Sequence, residues 1–408
     1  MIVAIRNGNM LDTESMELVG ERTIVIEHDA IVDVLDGGAA VDADVEIDAS
    51  GGYLIPGFID AHFHHFIVTM DFARLFRMSP IEVGISMARL SAAAVHRGFT
   101  TVRDTGGDVQ PLISAIESGA ATGPRIVRAG RVISQTGGHG DFRPTDVPIA
   151  TCGCQIDGDD NSHVVDGPDA CRKAARHELR AGSDFLKIMA SGGVASPSDP
   201  FDCVQFTPEE ITAITTETDH RKTYTTAHAY MPDAIRQAID NGVRCIEHGN
   251  GIDAETAARC AELGVVTVPT LITYKAMEEM GAKLGIPQVS LDKNDGVFEM
   301  GQRSIEIMKN AGVELGLGSD LLGEAQPWQN REFAIRVELE PARDVLRSMY
   351  VTNARLCHLE GRVGVLKPGA FGDVLVTDVN PIDDLATLQH PDAHLTAIVH
   401  RGVPVRVP

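Results

Sequence analysis

The chain has no apolar run long enough to cross a membrane, which excludes a helical membrane protein. It also lacks a basic stretch followed by an apolar one at its start, so a cytoplasmic protein is the expectation. Basic charge is scarce: 35 Lys and Arg stand against 58 Asp and Glu, and 35 − 58 gives −23. That balance argues against a nucleic-acid backbone or an anionic membrane as the main partner. A disulfide framework is missing too. The seven cysteines are an odd number without regular spacing, as suits a reducing compartment. Cys152 and Cys154 form a C-x-C pair with no second pair, which reads as ordinary loop thiols. No repeat of 20–50 residues and no low-complexity tract is present.

What is present is an ordinary globular composition, 43% hydrophobic and 23% charged over 408 residues. Both ends are β-rich. Thr23-Ile-Val-Ile-Glu and Ile31-Val-Asp-Val-Leu near the start match Asp373-Val-Leu-Val-Thr, Ala397-Ile-Val-His and Val403-Pro-Val-Arg-Val near the end. The middle alternates helix-like stretches with eight short apolar runs, starting at Gly57, Thr100, Arg125, Phe185, Thr225, Cys245, Val266 and Glu314. Runs without clean alternation mark strands buried on both faces, and eight of them separated by helices fit an α/β fold of the (β/α)₈ TIM-like barrel type.

Helix signals are also legible. Thr207-Pro-Glu-Glu predicts a capping box. Asp169 is expected to cap the helix that begins at Ala170, and Pro341 is expected to split the segment from Arg331 to Tyr350. The stretch from Gly137 to Gly167, rich in Gly, Asp and Pro, reads as a loop over the top of the barrel.

The chemistry lies where polar residues interrupt the apolar runs. His62 and His64 close the first run, and residues two apart on a strand share one side. Lys187 sits inside the fourth run, His228 and His248 end the fifth and sixth, and Asp320 ends the eighth. A histidine at a strand end is ordinarily a hydrogen-bonded surface residue, and Gly-Ser-Asp is ordinarily a turn. Bland residues have no reason, however, to share one rim of one barrel, where active sites of that architecture sit. The joint pattern points to a metal site.

Leu54-Ile-Pro-Gly-Phe-Ile-Asp-Ala-His62-Phe-His64, with Asn353-Ala-Arg, Gly364-Val-Leu-Lys-Pro-Gly and Asp373-Val-Leu-Val-Thr-Asp, resembles the amidohydrolase superfamily along essentially the whole chain. Gly372-Asp373 stands where that family more often has Ala-Asp. The resemblance implies a small β-sandwich from residues 1–55 plus 360–408 beside a barrel at 56–359. It implies two divalent metals, usually zinc. His62, His64 and Asp320 would hold the first, His228 and His248 the second, and Lys187, N6-carboxylated by CO₂, would bridge them. The carbamate makes chemical sense, because a Lys cation cannot sit beside two dications while an anion with two oxygens can.

The segments around His139, Lys187, Tyr230 and Glu247 look closest to Xaa-Pro dipeptidases, N-acyl amino acid hydrolases and imidazolonepropionase-like proteins. The expected reaction is attack on an amide by a metal-bridging hydroxide, with Asp320 as general base and then acid. His139 and Tyr230 are candidates to hydrogen-bond the oxyanion. Arg143, Tyr274 and Lys275 are candidates for a substrate carboxylate.

Three rival readings stand beside this one. A mononuclear deaminase does not need Lys187. A hydrolase of cyclic amides, aryl amides or phenylureas would use the same two metals. A non-catalytic barrel scaffold is expected to have lost ligands, and all six are present. A homo-oligomer is the family habit, but no stretch identifies an interface.

Overall fold

Alternating strands at the two ends of the chain meet in one sheet. The first are β1 (Ile2–Asp12), β2 (Glu17–Glu27), β3 (Ala30–Asp36), β4 (Val45–Asp48) and β5 (Tyr53–Pro56). In the middle follow β6 (Phe58–Phe63), β7 (Phe99–Asp104), β8 (Arg125–Arg128), β9 (Val132–Ser134), β10 (Ser162–Val164), β11 (Leu186–Met189), β12 (Thr225–Ala229), β13 (Cys245–His248), β14 (Val266–Val268) and β15 (Glu314–Leu315). Last come β16 (Val374–Thr377), β17 (Leu395–His400) and β18 (Val403–Arg406). The structure, a computed structural model, describes residues 1–75, 77–143, 161–196 and 199–407; Cys152 and Cys154 fall outside these.

The end sheet runs β18-β17-β16-β5-β1-β2-β3, with β4 paired to β1. β5 and β16 join the two ends of the chain antiparallel, Leu54 opposite Val376 and Ile55 opposite Leu375. Side chains alternate between the faces of a strand. Leu54, Val374, Val376, Ala397 and Val399 therefore pack with Val3, Ile5, Ile24 and Ile26 in a core of their own. Their neighbours Ile55, Leu375 and Ile398 point the other way, onto Phe58, Phe99 and Phe333 of the middle region. The Tyr350 hydroxyl donates to Pro56 O at 2.9 Å across this boundary.

The middle strands are all parallel. β6, β7 and β8 form one sheet, and the other has the order β10-β9-β11-β12-β13-β14-β15. Further hydrogen bonds join the two. Ala61 N–H donates to Leu317 O at 2.9 Å and Asp320 N–H to His62 O at 2.8 Å, while Asp184 N–H donates to Arg128 O at 2.9 Å. Helices cover the outside, and Ile214, Ile235 and Ile305 pack onto Ile188 and Ile246 of the strands.

Two of the local signals hold and two do not. Thr207 caps Pro208–His220 in a full capping box, and Pro341 separates Arg331–Leu339 from Ala342–Arg347. Asp169 is not the cap of its helix. Pro168 takes the first helical position, so the cap falls on Gly167 at φ 84°, whose N–H is bound by Glu210 at 2.6 Å. The expected loop from 137 to 167 also contains β10, parallel to β9; three residues are too few to show a periodicity.

Leu375 is fully buried between the end sheet and the helices. Leu375→Ala is expected to lower unfolding free energy by about 2–5 kcal/mol in urea titrations, the range for emptying such a site. A loss under about 1 kcal/mol would mean that this face is not a packed core.

Candidate metal centre

Three side chains of one strand edge start the site. Asp60, His62 and His64 lie two apart along and just past β6, so they share one side. Asp60 faces inward. It accepts the Ser319 hydroxyl at 2.5 Å, the Gln329 amide at 2.8 Å and the backbone N–H of Ser319 at 3.1 Å. Burial raises its pKa in spite of these bonds. The bonds to Ser319 fix the segment that follows β15, and with it Asp320, beside the end of β6. Gly318 permits the approach, because a Cβ there would lie 2.7 Å from the His62 Cβ. Asp320 and His248 both hold left-handed backbone, at φ 51° and 74°. Such conformations cost non-glycine residues energy and cluster at functional sites.

Asp320 is the centre of the cluster. Its Oδ1 lies 3.3 Å from His62 Nε2 and 3.2 Å from His64 Nε2, and its Oδ2 is 3.9 Å from His248 Nδ1. Burial opposes its charge, but His62 and His64 beside it hold its pKa well below the usual carboxylate range. His62, His248 and Asp320 each offer a ligand atom within 4.8 Å of the others. His228 completes the row, 4.6 Å from His248 between ring centroids.

Hydrogen bonds decide which nitrogens are offered. The His62 Nδ1–H donates to Glu247 at 2.7 Å, which turns Nε2 toward Asp320; burial works against protonation of this ring, but Asp320 and Glu247 raise its pKa. His228 Nε2–H donates to Gly192 O at 3.1 Å, leaving Nδ1 bare. His64 Nδ1 is buried without a hydrogen-bond partner among the described residues. Burial, with the neighbouring histidines and Lys187, pushes His228 well below its ordinary pKa; burial does the same for His248 although Asp320 opposes it. Both are therefore neutral, the form that binds a metal. Lys187 is 2% exposed, and burial lowers its pKa against the pull of Glu247 and Asp320. Imidazole nitrogens with a carboxylate fit a zinc-like dication.

Two residues of this site were not singled out from the sequence. Glu247 and Arg103 are fully buried and paired beneath His62. Arg103 also donates to Ala61 O at 2.5 Å and the Tyr224 hydroxyl at 3.1 Å, and Thr226 donates to Glu247 at 2.5 Å. Burial disfavours the Glu247 charge, but Arg103 and His62 hold its pKa well below normal. The available signal was one opposite charge inside each of two apolar runs, Thr100-Thr-Val-Arg103 and Cys245-Ile-Glu247, since buried charges must pair.

Over the cluster opens a concave cavity. Ile67, Met70, Phe72, Phe142, Met277 and Leu322 give it an apolar wall. His62, His64, Lys187, His228, His248 and Asp320 all line it, as do His139, Tyr230 and Tyr274. Tyr230 stacks on His248 at 5.2 Å, and the Tyr274 hydroxyl is 3.1 Å from that of Tyr230. Arg143 and Lys275 do not line it. Arg143 turns to Asp141 with two contacts of 2.6 Å, and Lys275 to Glu278 at 2.9 Å. Among the described lining residues, Lys187 is the one Lys or Arg.

A second cluster, His163, His177 and Glu178, has a resident cation. Arg131 lies 3.7 Å from the same Glu178 oxygen that His163 binds at 2.7 Å.

A model of the amidohydrolase family matches residues 53–407. An ochratoxinase of Aspergillus niger is 27% identical over 351 residues, 83% of this chain and 73% of that one. Among solved structures, a prolidase complexed with N-methylphosphonate-L-proline has 39% identity and a TM-score of 0.95 over the full length of both chains. A Xaa-Pro dipeptidase with methionine in its active site has 27% identity and a TM-score of 0.88, again over both full chains.

Glu247→Gln removes the negative partner of both Arg103 and His62. Apparent metal affinity, read by chelator competition, is expected to fall about 10–100-fold. Stability is expected to fall by about 3–5 kcal/mol, because a buried charge is left unpaired. A pKa held below the ordinary 4.5 contributes stability above that pH and loses it as pH falls further, so the variant should also lack that part of the acid limb. Unchanged affinity and stability would remove Glu247 from this role.

Proposed function

The chain belongs to the amidohydrolase family, and on that footing we propose that it hydrolyses acyclic amide bonds at a two-metal site, with Xaa-Pro dipeptides and N-acyl amino acids as its first substrate classes. It is a hydrolase acting on carbon–nitrogen bonds. The observation that carries the finer reading is the meeting of His62, His64, Lys187, His228, His248 and Asp320 in one cavity.

We infer that the eight middle strands β6, β7, β8 and β11–β15 close into a (β/α)₈ barrel at 56–359. Residues 1–55 with 360–408 form the sandwich domain beside it. His62, His64 and Asp320 would hold one divalent metal, and His228 and His248 the other. Lys187 would serve both as its carbamate: a buried amine biased toward its neutral form can add to CO₂, releasing a proton and gaining an anionic head. Bound there, the metals would acidify a water nucleophile and polarise the amide carbonyl.

The chain's own residues do the rest. Asp320 is ionised at neutral pH, so it can accept the proton of the attacking water. Passing that proton to the nitrogen makes the amine a leaving group. Tyr230 and His139 face the carbonyl oxygen as it gains charge. The apolar wall takes the acyl side chain and keeps out water. With no Arg among the described residues of that wall and Lys187 committed to the metals, a substrate carboxylate is left to neutral donors such as Tyr274. The same scarcity of cations supports a second reading, hydrolysis of uncharged cyclic amides, aryl amides or ureas.

Amine release from Xaa-Pro dipeptides, other dipeptides, N-acyl amino acids, cyclic amides and aryl ureas separates these readings, with zinc and bicarbonate and again after chelation. Chelator-sensitive cleavage confined to acyclic peptide or N-acyl bonds is expected; cleavage confined to rings or ureas would select the second reading. Asp320→Asn is expected to lose turnover while metal remains bound. Near-normal turnover in that variant would take Asp320 out of the proton path.

A further inference from the structure

His139 is held from three sides. One ring face lies on His228, with centroids 4.3 Å apart and planes 18° from parallel. The other meets Gly193, where a Cβ would stand 2.0 Å from the ring. The slot therefore requires glycine. On the inner edge, Nδ1 is 2.9 Å from the Ser196 hydroxyl, and that hydroxyl donates to Asp199. Asp199 Oδ2 lies 3.5 Å from the same Nδ1.

Asp199 also accepts the Gly193 N–H at 2.9 Å and the Gln205 amide at 3.4 Å. Gln205 in turn accepts the His139 backbone N–H at 3.0 Å. His139, Ser196, Asp199 and Gln205 are all buried. From the neighbouring helix Gln288–Asn294, Lys293 Nζ donates to Gly193 O at 3.2 Å, to Ser196 O at 2.8 Å and to Asp199 O.

Proton accounting gives this chain a direction. Asp199 as a carboxylate only accepts. Ser196 has one proton and gives it to Asp199, so the serine oxygen accepts from His139 Nδ1–H. Nε2 is then the nitrogen left for the substrate.

We propose that Asp199 is the positioning residue of His139, acting through Ser196, and that Lys293 anchors the backbone that carries both. The catalytic consequence rests on the function given above to His139. The hydrogen-bond chain itself does not. In Asp199→Asn an amide N–H can donate to Ser196, which then turns its own proton toward Nδ1 and drives the ring proton to Nε2.

Nitrogen-15 spectra of the metal-loaded full chain, with the His139 signals identified by their loss in His139→Asn, read this directly. A proton on Nδ1 in the wild type that moves to Nε2 in Asp199→Asn is expected; the same Nδ1–H in both overturns the proposal. Kinetics on the best substrate of the panel add a second reading. Asp199→Asn should lower kcat on the order of a hundredfold with KM little changed, as a misplaced group does. It should add nothing further in a His139→Asn background. Ser196→Ala should reproduce the loss, and Ser196→Thr, which keeps the hydroxyl, should not. An undiminished Asp199→Asn effect without His139 overturns the link. Wild-type turnover by His139→Asn would overturn the function given to His139 above, while the spectrum still judges Asp199 on its own.

Discussion

The buried pair of Arg103 and Glu247 is the interaction on which the rest of the site depends. A cavity floor built from histidines, a lysine and an aspartate has little water to screen it, and charge placed there must be answered locally. Glu247 answers Arg103 on one side and His62 on the other. In doing so it keeps the His62 Nδ1 proton pointed away from the cavity and turns Nε2 toward Asp320. Arg103 in turn bonds Ala61 O, next to His62 on the same strand. One ion pair thus sets a ring orientation, a tautomer and a backbone position.

Around it, the architecture works by bringing distant segments to one rim. Asp60 and Ser319 are far apart in sequence, yet their hydrogen bonds seat Asp320 beside His62. Asp320 and His248 hold left-handed backbone, a cost that clusters at functional sites. The end sheet braces this from outside: alternate residues of β5, β16 and β17 face their own core and the helices of the middle region. The stretch Tyr53–Phe63 therefore carries both the sheet joining the two ends and His62.

Much of this could be read along the chain because the signals are local or periodic. Eight apolar runs reappear as parallel strands since a strand buried on both faces has no polar side to show. Thr207 and Pro341 act within a turn of themselves, and they behave as expected. Asp169 and the short strand β10 were misjudged because a single shifted proline, or three residues of strand, leave too little pattern. Arg143 and Lys275 looked available for a substrate, but Asp141 and Glu278 stand two and three residues away and take their charge.

Which residues are candidates for the site could be read from the chain alone, because His, Asp and Lys at the ends of apolar runs are a matter of residue type and spacing. The cap at Thr207 and the helix break at Pro341 were legible too, because they depend on neighbours within a few bonds. Only the tertiary structure decided which nitrogen each histidine offers, that Arg103 and Glu247 pair beneath His62, and that Ser196 and Asp199 grip His139. Those facts depend on contacts between segments as far apart as 185 residues, the separation of His62 and Glu247. A hydrogen bond is decided within tenths of an ångström, and the chain settles that distance only when it packs.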